Sequence, residues 1–270
     1  MDSTPKWFEG VKLNFAENIL YSANLKHPSR VTTVGKEDTK VACTEVREGC
    51  TEIRNVTWKE LRDSVGKLTQ ALKAHGVRRG DRVAVVASNS ADTLTVMLAT
   101  TALGGLFSSS STDMGIKGVL DRLLQIRPKW VFVDDGAIYN GKTIDLREKM
   151  TQIVHGMKGV DEFEGIVSMP RFRSNPTTVT QLPKTLTLAS FLEKGHGKSE
   201  IIFERVGFHD PFLIVYSSGT TGVPKCIVHS VGGVLINGNK EGKLHSDLGP
   251  DTVNLQYTTV NELVANGSKR

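Results

Sequence analysis

A chain of 270 residues, 39% apolar and 23% charged, has the makeup of an ordinary globular protein and the length to bury a sizeable core, as one large domain or two small ones. Its net charge of +5 is dispersed: no run of five Lys or Arg and no basic helix face with interleaved aromatics occurs, so a pI near 9.0 is the only feature pointing to nucleic acid, and no nucleic-acid partner is expected. No apolar run approaches the roughly 20 residues of a spanning helix, so no membrane partner is expected either.

Cysteine usage points the same way. Cys43, Cys50 and Cys226 form no Cys-x-x-Cys pair, and an odd count suits a reducing compartment. The seven histidines show no metal-ligand spacing. Met1-Asp2-Ser3-Thr4-Pro5-Lys6 is followed by no apolar run, so it does not read as a secretory signal. A cytoplasmic (cytosolic) protein without a structural metal is the expectation.

In chain order, residues 1–30 read as an irregular lead-in with a short helix. Residues 31–56 read as a β-rich hairpin region with a polar turn near Gly49. Thr57-Trp58-Lys59-Glu60 is a capping box, and Leu61, Val65, Leu68 and Leu72 follow at helical spacing until Gly76. Residues 82–87 form a short apolar run, fit for a parallel strand buried on both faces. A helix over 91–103 is closed by Gly104-Gly105, and a strand over 106–109 follows. Ile116, Val119, Leu120, Leu123 and Leu124 mark a helical face that ends before Pro128. A strand over 130–133, a helix over 144–157 and a strand over 165–168 continue the alternation.

The polar stretch 170–183 reads as an exposed connection, then a short helix over 189–194 and a strongly apolar strand over 212–216. A further strand is expected near 252–257. Strands alternating with helices of 10–15 residues imply right-handed crossovers and an α/β fold with mainly parallel sheets flanked by helices.

The chemistry concentrates in Tyr216-Ser217-Ser218-Gly219-Thr220-Thr221-Gly222-Val223-Pro224-Lys225. An apolar strand runs into a hydroxyl- and glycine-rich turn that ends in a lysine. Glycines let successive N–H groups converge on an anion, the hydroxyls add donors, and lysine adds a mobile charge. The segment is not a Walker A loop: counting from Gly219, Pro224 replaces the second glycine and Cys226 the magnesium-binding hydroxyl. Composition alone leaves two readings open, a polyphosphate loop or an ordinary Ser/Gly turn between strands.

This loop resembles the phosphate-loop signature of the adenylate-forming superfamily. The capped helix from Thr57 followed by Gly80-Asp81-Arg82-Val83-Ala84, and the helix ending at Gly104-Gly105, are similar to the same family. Trp7-Phe8 and the residues 13–20 resemble the lead-in of its acetyl-CoA and acetoacetyl-CoA synthetase branch. Pro211 to Gly222, then Pro224-Lys225-Cys226-Ile227-Val228-His229-Ser230, His245 to Asp251 and Leu255 to Thr259 look most like the acetoacetyl-CoA synthetase type.

The resemblance implies part of the large N-terminal domain of that fold, with residues 1–56 as lead-in, 57–259 as a partial AMP-binding domain and 260–270 as a non-homologous tail. It implies an acid–CoA ligase taking ATP with Mg²⁺, acetoacetate or a similar short acid, and coenzyme A. Ser217, Ser218, Gly219, Thr220, Thr221 and Gly222 would hold the β- and γ-phosphates, and Lys225 would be the catalytic charge beside the departing pyrophosphate. Lys142, in Tyr139-Asn140-Gly141-Lys142, is either a CoA-phosphate contact or an exposed surface lysine. Because the resemblance stops at Thr259, the chain is expected to be a truncated form, inactive alone. The alternative is a residual ATP- or polyphosphate-binding module, one that pairs with a full-length homologue.

Overall fold

The computed structural model describes residues 7–27, 30–50, 52–217, 224–249 and 251–255. The lead-in holds strand β1 (Lys12–Leu13), helix α1 (Phe15–Leu20) and two short paired strands, β2 (Ser22–Ala23) and β3 (Val31–Thr32). Asn14 caps α1, accepting from the Glu17 N–H, and its amide donates to the carbonyls of Thr101, Ala102 and Glu204 at 2.9–3.0 Å. One buried side chain thus fastens the lead-in to distant parts of the chain. A hairpin of β4 (Val41–Val46) and β5 (Ile53–Thr57) follows.

Thr57 opens α2 (Trp58–Ala74) through the reciprocal box written in the sequence: its hydroxyl accepts from Glu60 N–H, and the Glu60 carboxylate accepts from Thr57 N–H. Then come β6 (Arg82–Val86), α3 (Ala91–Ala102), β7 (Leu106–Ser110), α4 (Ile116–Ile126) and β8 (Trp130–Asp134). A small hairpin, β9 (Gly136–Tyr139) and β10 (Lys142–Asp145), precedes α5 (Arg147–Gly156) and β11 (Gly165–Met169). The remaining elements are β12 (Thr185–Thr187), α6 (Leu188–Glu193), β13 (Val206–Gly207), which pairs with β1, β14 (Pro211–Ser217), β15 (Lys225–Ser230) and α7 (Val231–Lys240), which runs on into a π-helical turn.

Seven strands form one sheet in the order β12-β11-β8-β6-β7-β14-β15. Six are parallel, and β15 runs antiparallel at the edge. Side chains alternate between faces. Val83, Val85, Phe107 and Phe132 pack with the buried residues of α1, α2, α3 and α6, while Ala84, Val86, Val131 and Val133 pack with those of α4 and α5. The expected two-sided burial of the strand after Gly80 is therefore present, with helices covering both faces of the sheet.

Three expectations need correction. The helix expected over 144–157 begins at Arg147: Ile144 lies in β10, and the Asp145 carboxylate accepts from the Arg147 N–H at the helix start. Asn140 (φ 49°) and Gly141 (φ 72°) supply the tight turn that makes this hairpin. The connection over 170–183 is not simply exposed, because Arg171 and Val179 are buried and Asp135 accepts from the N–H groups of Arg171 and Thr177. No strand forms over residues 252–255, where Val253 and Leu255 are exposed and no described strand pairs with them; residues 256 and 257 lie outside the described residues. Strand β15 and helix α7 were not anticipated.

Close packing leaves no room for a side chain at Gly66. A Cβ on Gly66, in the middle of α2, would stand 1.8 Å from the backbone oxygen of Ser199. Gly66→Ala should therefore lower stability by about 1–3 kcal/mol despite alanine's better helix propensity. Gly159→Ala, which meets open space, should stay within about 0.5 kcal/mol of wild type. Urea melts of the two variants check this, and equal midpoints would contradict the packing.

Candidate functional site

The six parallel strands present their carboxyl ends at one edge of the sheet, where ligands of open α/β sheets bind. β14 ends there at Ser217 and β15 starts there at Lys225, and these two residues are ladder partners, with Tyr216 opposite Cys226. Ser217 and Lys225 therefore face each other across the mouth of the connecting loop, Ser217 half-buried and Lys225 exposed. Ser218, Gly219, Thr220, Thr221 and Gly222 lie outside the described residues.

Both stems of the loop rest on α4. The Tyr216 hydroxyl donates to the Arg122 carbonyl at 3.3 Å and lies 3.4 Å from the Ser108 hydroxyl. The Arg122 guanidinium lies 5.1 Å from the Tyr216 ring centre. Burial pushes the Tyr216 phenol up to about 12, so it remains a protonated donor at neutral pH. On the other stem, Gln125 Nε2 donates to the Pro224 carbonyl at 3.1 Å, and Gln125 Oε1 accepts from Cys226 Sγ at 3.2 Å. Burial raises the Cys226 thiol above its ordinary value. None of Ser108, Arg122 or Gln125 was singled out from the sequence. They meet the loop stems across about a hundred residues, and no local spacing announces such a contact.

Lys142 opens β10, exposed, directly after the Asn140-Gly141 turn. The Gly141 N–H donates to Glu48 Oε1 at 2.7 Å, which ties this turn to the β4–β5 hairpin. The turn follows β8, whose carboxyl end points to the same edge as that of β14, with β6 and β7 between them. The structure thus sets Lys142 and Lys225 off one sheet edge but on separate hairpins.

The strand order reverses at β6: the chain goes first to β7 on one side and then to β8 on the other. Several polar side chains meet at the resulting crevice. Asp134 Oδ2, at the end of β8, accepts from Ser88 N at 2.8 Å and Ser88 Oγ at 2.7 Å. Arg47, from the β4–β5 hairpin, donates to Ser88 Oγ at 2.7 Å and ion-pairs with Glu45, which also accepts from the Ala91 N–H. Glu52 forms a two-pronged pair with the buried Arg171, both bonds 2.9 Å. Burial pushes the Asp134 carboxyl up to about 6; the Ser88 bonds and Arg47 pull it down, and Asp92 adds to the rise.

The fold is that of an adenylate-forming α/β domain, and the chain belongs to the AMP-binding enzyme family, matched over residues 31–260. Among curated relatives it is similar to the acetoacetyl-CoA synthetase of Gallus gallus, 39% identical over 97% of this chain and 37% of that one. The acetoacetyl-coenzyme A synthetase of Rhizobium meliloti is 38% identical over 90% of this chain and 34% of its own. A malonamoyl-CoA synthetase of Penicillium aethiopicum is 35% identical over 91% and 33% respectively. The solved structure of acetoacetyl-CoA synthetase from Streptomyces lividans superposes with a TM-score of 0.82 at 33% identity, over 98% of this chain and 38% of that one. The chain thus spans little more than a third of the length of the relatives it matches. Among the described residues no helix is long and apolar enough to cross a membrane.

Asp134 gives a pH signature. Its folded value lies above the ordinary 3.8, so the folded state binds the extra proton between about 4 and 6. Its contribution to stability is fully present below pH 4 and lost as pH rises through about 6. Asp134→Asn keeps an acceptor for Ser88 but has no charge to bury. Relative to wild type, it should gain about 2–3 kcal/mol between pH 4 and pH 7, measured by urea melts across that range. A difference that does not change with pH would contradict the assignment.

Proposed function

We propose that these residues form the phosphate-binding part of an ATP-dependent acid–CoA ligase of the acetoacetyl-CoA synthetase type. The carrying observation is the β14–β15 hairpin, which brings Ser217 and Lys225 together across the loop mouth at the carboxyl edge of the sheet. The family match and the names of the relatives supply the reaction class. In that reaction a carboxylate attacks the α-phosphorus of ATP to give an acyl-adenylate and pyrophosphate, and the CoA thiol then displaces AMP.

The loop Ser217, Ser218, Gly219, Thr220, Thr221 and Gly222 would cradle the β- and γ-phosphates through N–H groups and hydroxyls. Lys225 would neutralise charge on the leaving pyrophosphate, where positioning and electrostatics do most of the catalytic work. Among the described residues no group of three or more His, Cys, Asp or Glu is placed to hold an ion, so Mg²⁺ would enter as the partner of the triphosphate. Lys142 would meet a CoA phosphate. Acetoacetate and malonamate, the acids named by the relatives' products, share a carbonyl β to the carboxylate. A short acid of that kind is the proposed substrate class.

The shared length sets the scope of the proposal. With about 37% of the relatives' length present, the 270 residues alone are proposed to bind polyphosphate without completing the two-step reaction. Formation of a CoA ester by the purified chain at about 1 s⁻¹ or faster would overturn that part. Calorimetry at low salt tests the site. Lys225→Ala should weaken MgATP and pyrophosphate binding about tenfold to hundredfold, the worth of a charge-assisted contact. Lys142→Ala should change either by less than about twofold, since an exposed lysine outside the loop supplies no such contact. Equal binding of both ligands by wild type and Lys225→Ala would remove Lys225 from the site.

A further inference from the structure

The stems of the phosphate loop are gripped by one turn of one helix. Arg122 and Gln125 stand three apart in α4, on the same face. The Arg122 carbonyl receives the Tyr216 hydroxyl of the first stem, and the Gln125 amide takes the second. Gln125 is exposed, yet its amide is fully engaged. One Nε2 hydrogen goes to the Asp121 carbonyl of its own helix at 2.6 Å, fixing the side chain's direction, and the other goes to Pro224 O. Its Oε1 accepts from Cys226 Sγ. Pro224 and Cys226 are the two chain neighbours of Lys225. Pro224 has no N–H, so its buried carbonyl is the one backbone group by which that residue can be held. β15 pairs with β14 alone among the described strands, so the sheet holds this stem from one side only.

We propose that Gln125 is a positioning residue of the phosphate site: by holding Pro224 and Cys226 it fixes the stem from which Lys225 reaches the polyphosphate. The inference rests on the polyphosphate-binding reading of the loop. Gln125 touches no reacting atom. It acts by restricting where Lys225 starts from, and a lysine on a flexible four-carbon stem benefits from a fixed base.

The test compares wild type with Gln125→Ala and Gln125→Met, the latter keeping the volume without the hydrogen bonds. Gln152→Ala is the control, since Gln152 is a helical glutamine bonded to Glu148 of its own helix. Pyrophosphate binding is read by calorimetry, Cys226 alkylation by iodoacetamide at the level of its peptide, and folding by the melting temperature. Both Gln125 variants should bind pyrophosphate about fivefold more weakly, the equivalent of one lost hydrogen bond. They should alkylate Cys226 about two- to fivefold faster, because the thiol has lost its acceptor. The melting temperature should fall by no more than about 4 °C, the size of one lost hydrogen bond, and Gln152→Ala should match wild type throughout. If wild type binds and both Gln125 variants bind equally well, or if Cys226 reacts at an unchanged rate, the positioning role is overturned while the phosphate site stands. If wild type itself binds no pyrophosphate, the phosphate-binding reading fails and this inference falls with it.

Discussion

The parallel pairing of β14 beside β7 is the constraint on which the site depends. Leu213 lies opposite Phe107 and Ile214 opposite Ser108, and the buried Ser108 hydroxyl donates to the Ile214 carbonyl at 3.0 Å. That side-chain bond reinforces the ladder where the strand joins the sheet. A parallel neighbour requires a long crossover, and the chain travels through β8, β11 and β12 on the far side before returning to lay β14 here. Because the pairing is parallel, β14 delivers its carboxyl end to the edge shared by β6, β7 and β8. An antiparallel strand in the same place would send the Ser/Gly/Thr loop to the opposite edge. The reversal into β15 then needs no crossover, and it returns Lys225 to the loop mouth facing Ser217.

A second consequence of the topology is competition for the crevice at β6 and β8. Open sheets of this kind leave a cleft where the strand order reverses. Here the β4–β5 hairpin reaches it through Arg47, which bonds Ser88 above the Asp134 carboxylate, while Glu52 of the same hairpin holds Arg171 beyond β11. A buried carboxylate without partners would cost several kcal/mol, and the two Ser88 hydrogen bonds offset only part of that, which is why the Asp134 carboxyl still titrates near 6. Two hairpins, β9–β10 and β14–β15, also stand at the carboxyl edge. Glu48 links the first of these to the β4–β5 hairpin.

Elements with a strong local code were legible in the sequence. The Thr57–Glu60 box, the apolar spacing of α2 and α4, and the glycines at 76 and 104 with φ of 79° and 70° act within a few residues, so they read correctly one element at a time. Alternation of strands and helices gave the parallel sheet. Where two local signals overlapped, the reading slipped: Ile144 continued an apolar helical pattern, but the Asn140-Gly141 turn paired it with Ala137 instead. The stretch over 170–183 looked polar, yet Asp135 collects two of its N–H groups and Glu52 takes Arg171. Composition predicts solvent exposure only when no buried partner is waiting.

By itself, then, the sequence determined helices α2, α3 and α4, the buried strands β6, β7, β8, β11 and β14, and the hydroxyl-glycine-lysine segment between residues 216 and 225, because each is encoded by neighbours at fixed spacing. Only the tertiary structure decided the strand order, the sheet edge on which Lys142 and Lys225 stand, the raised carboxyl of Asp134, and the hold of Arg122 and Gln125 on the loop stems. Each of these depends on groups far apart along the chain, whose meeting is set by how layers pack. The bond from Cys226 to Gln125 spans 101 residues, and nothing in either neighbourhood distinguishes that glutamine from any other on a solvated helix until the sheet brings β15 against it.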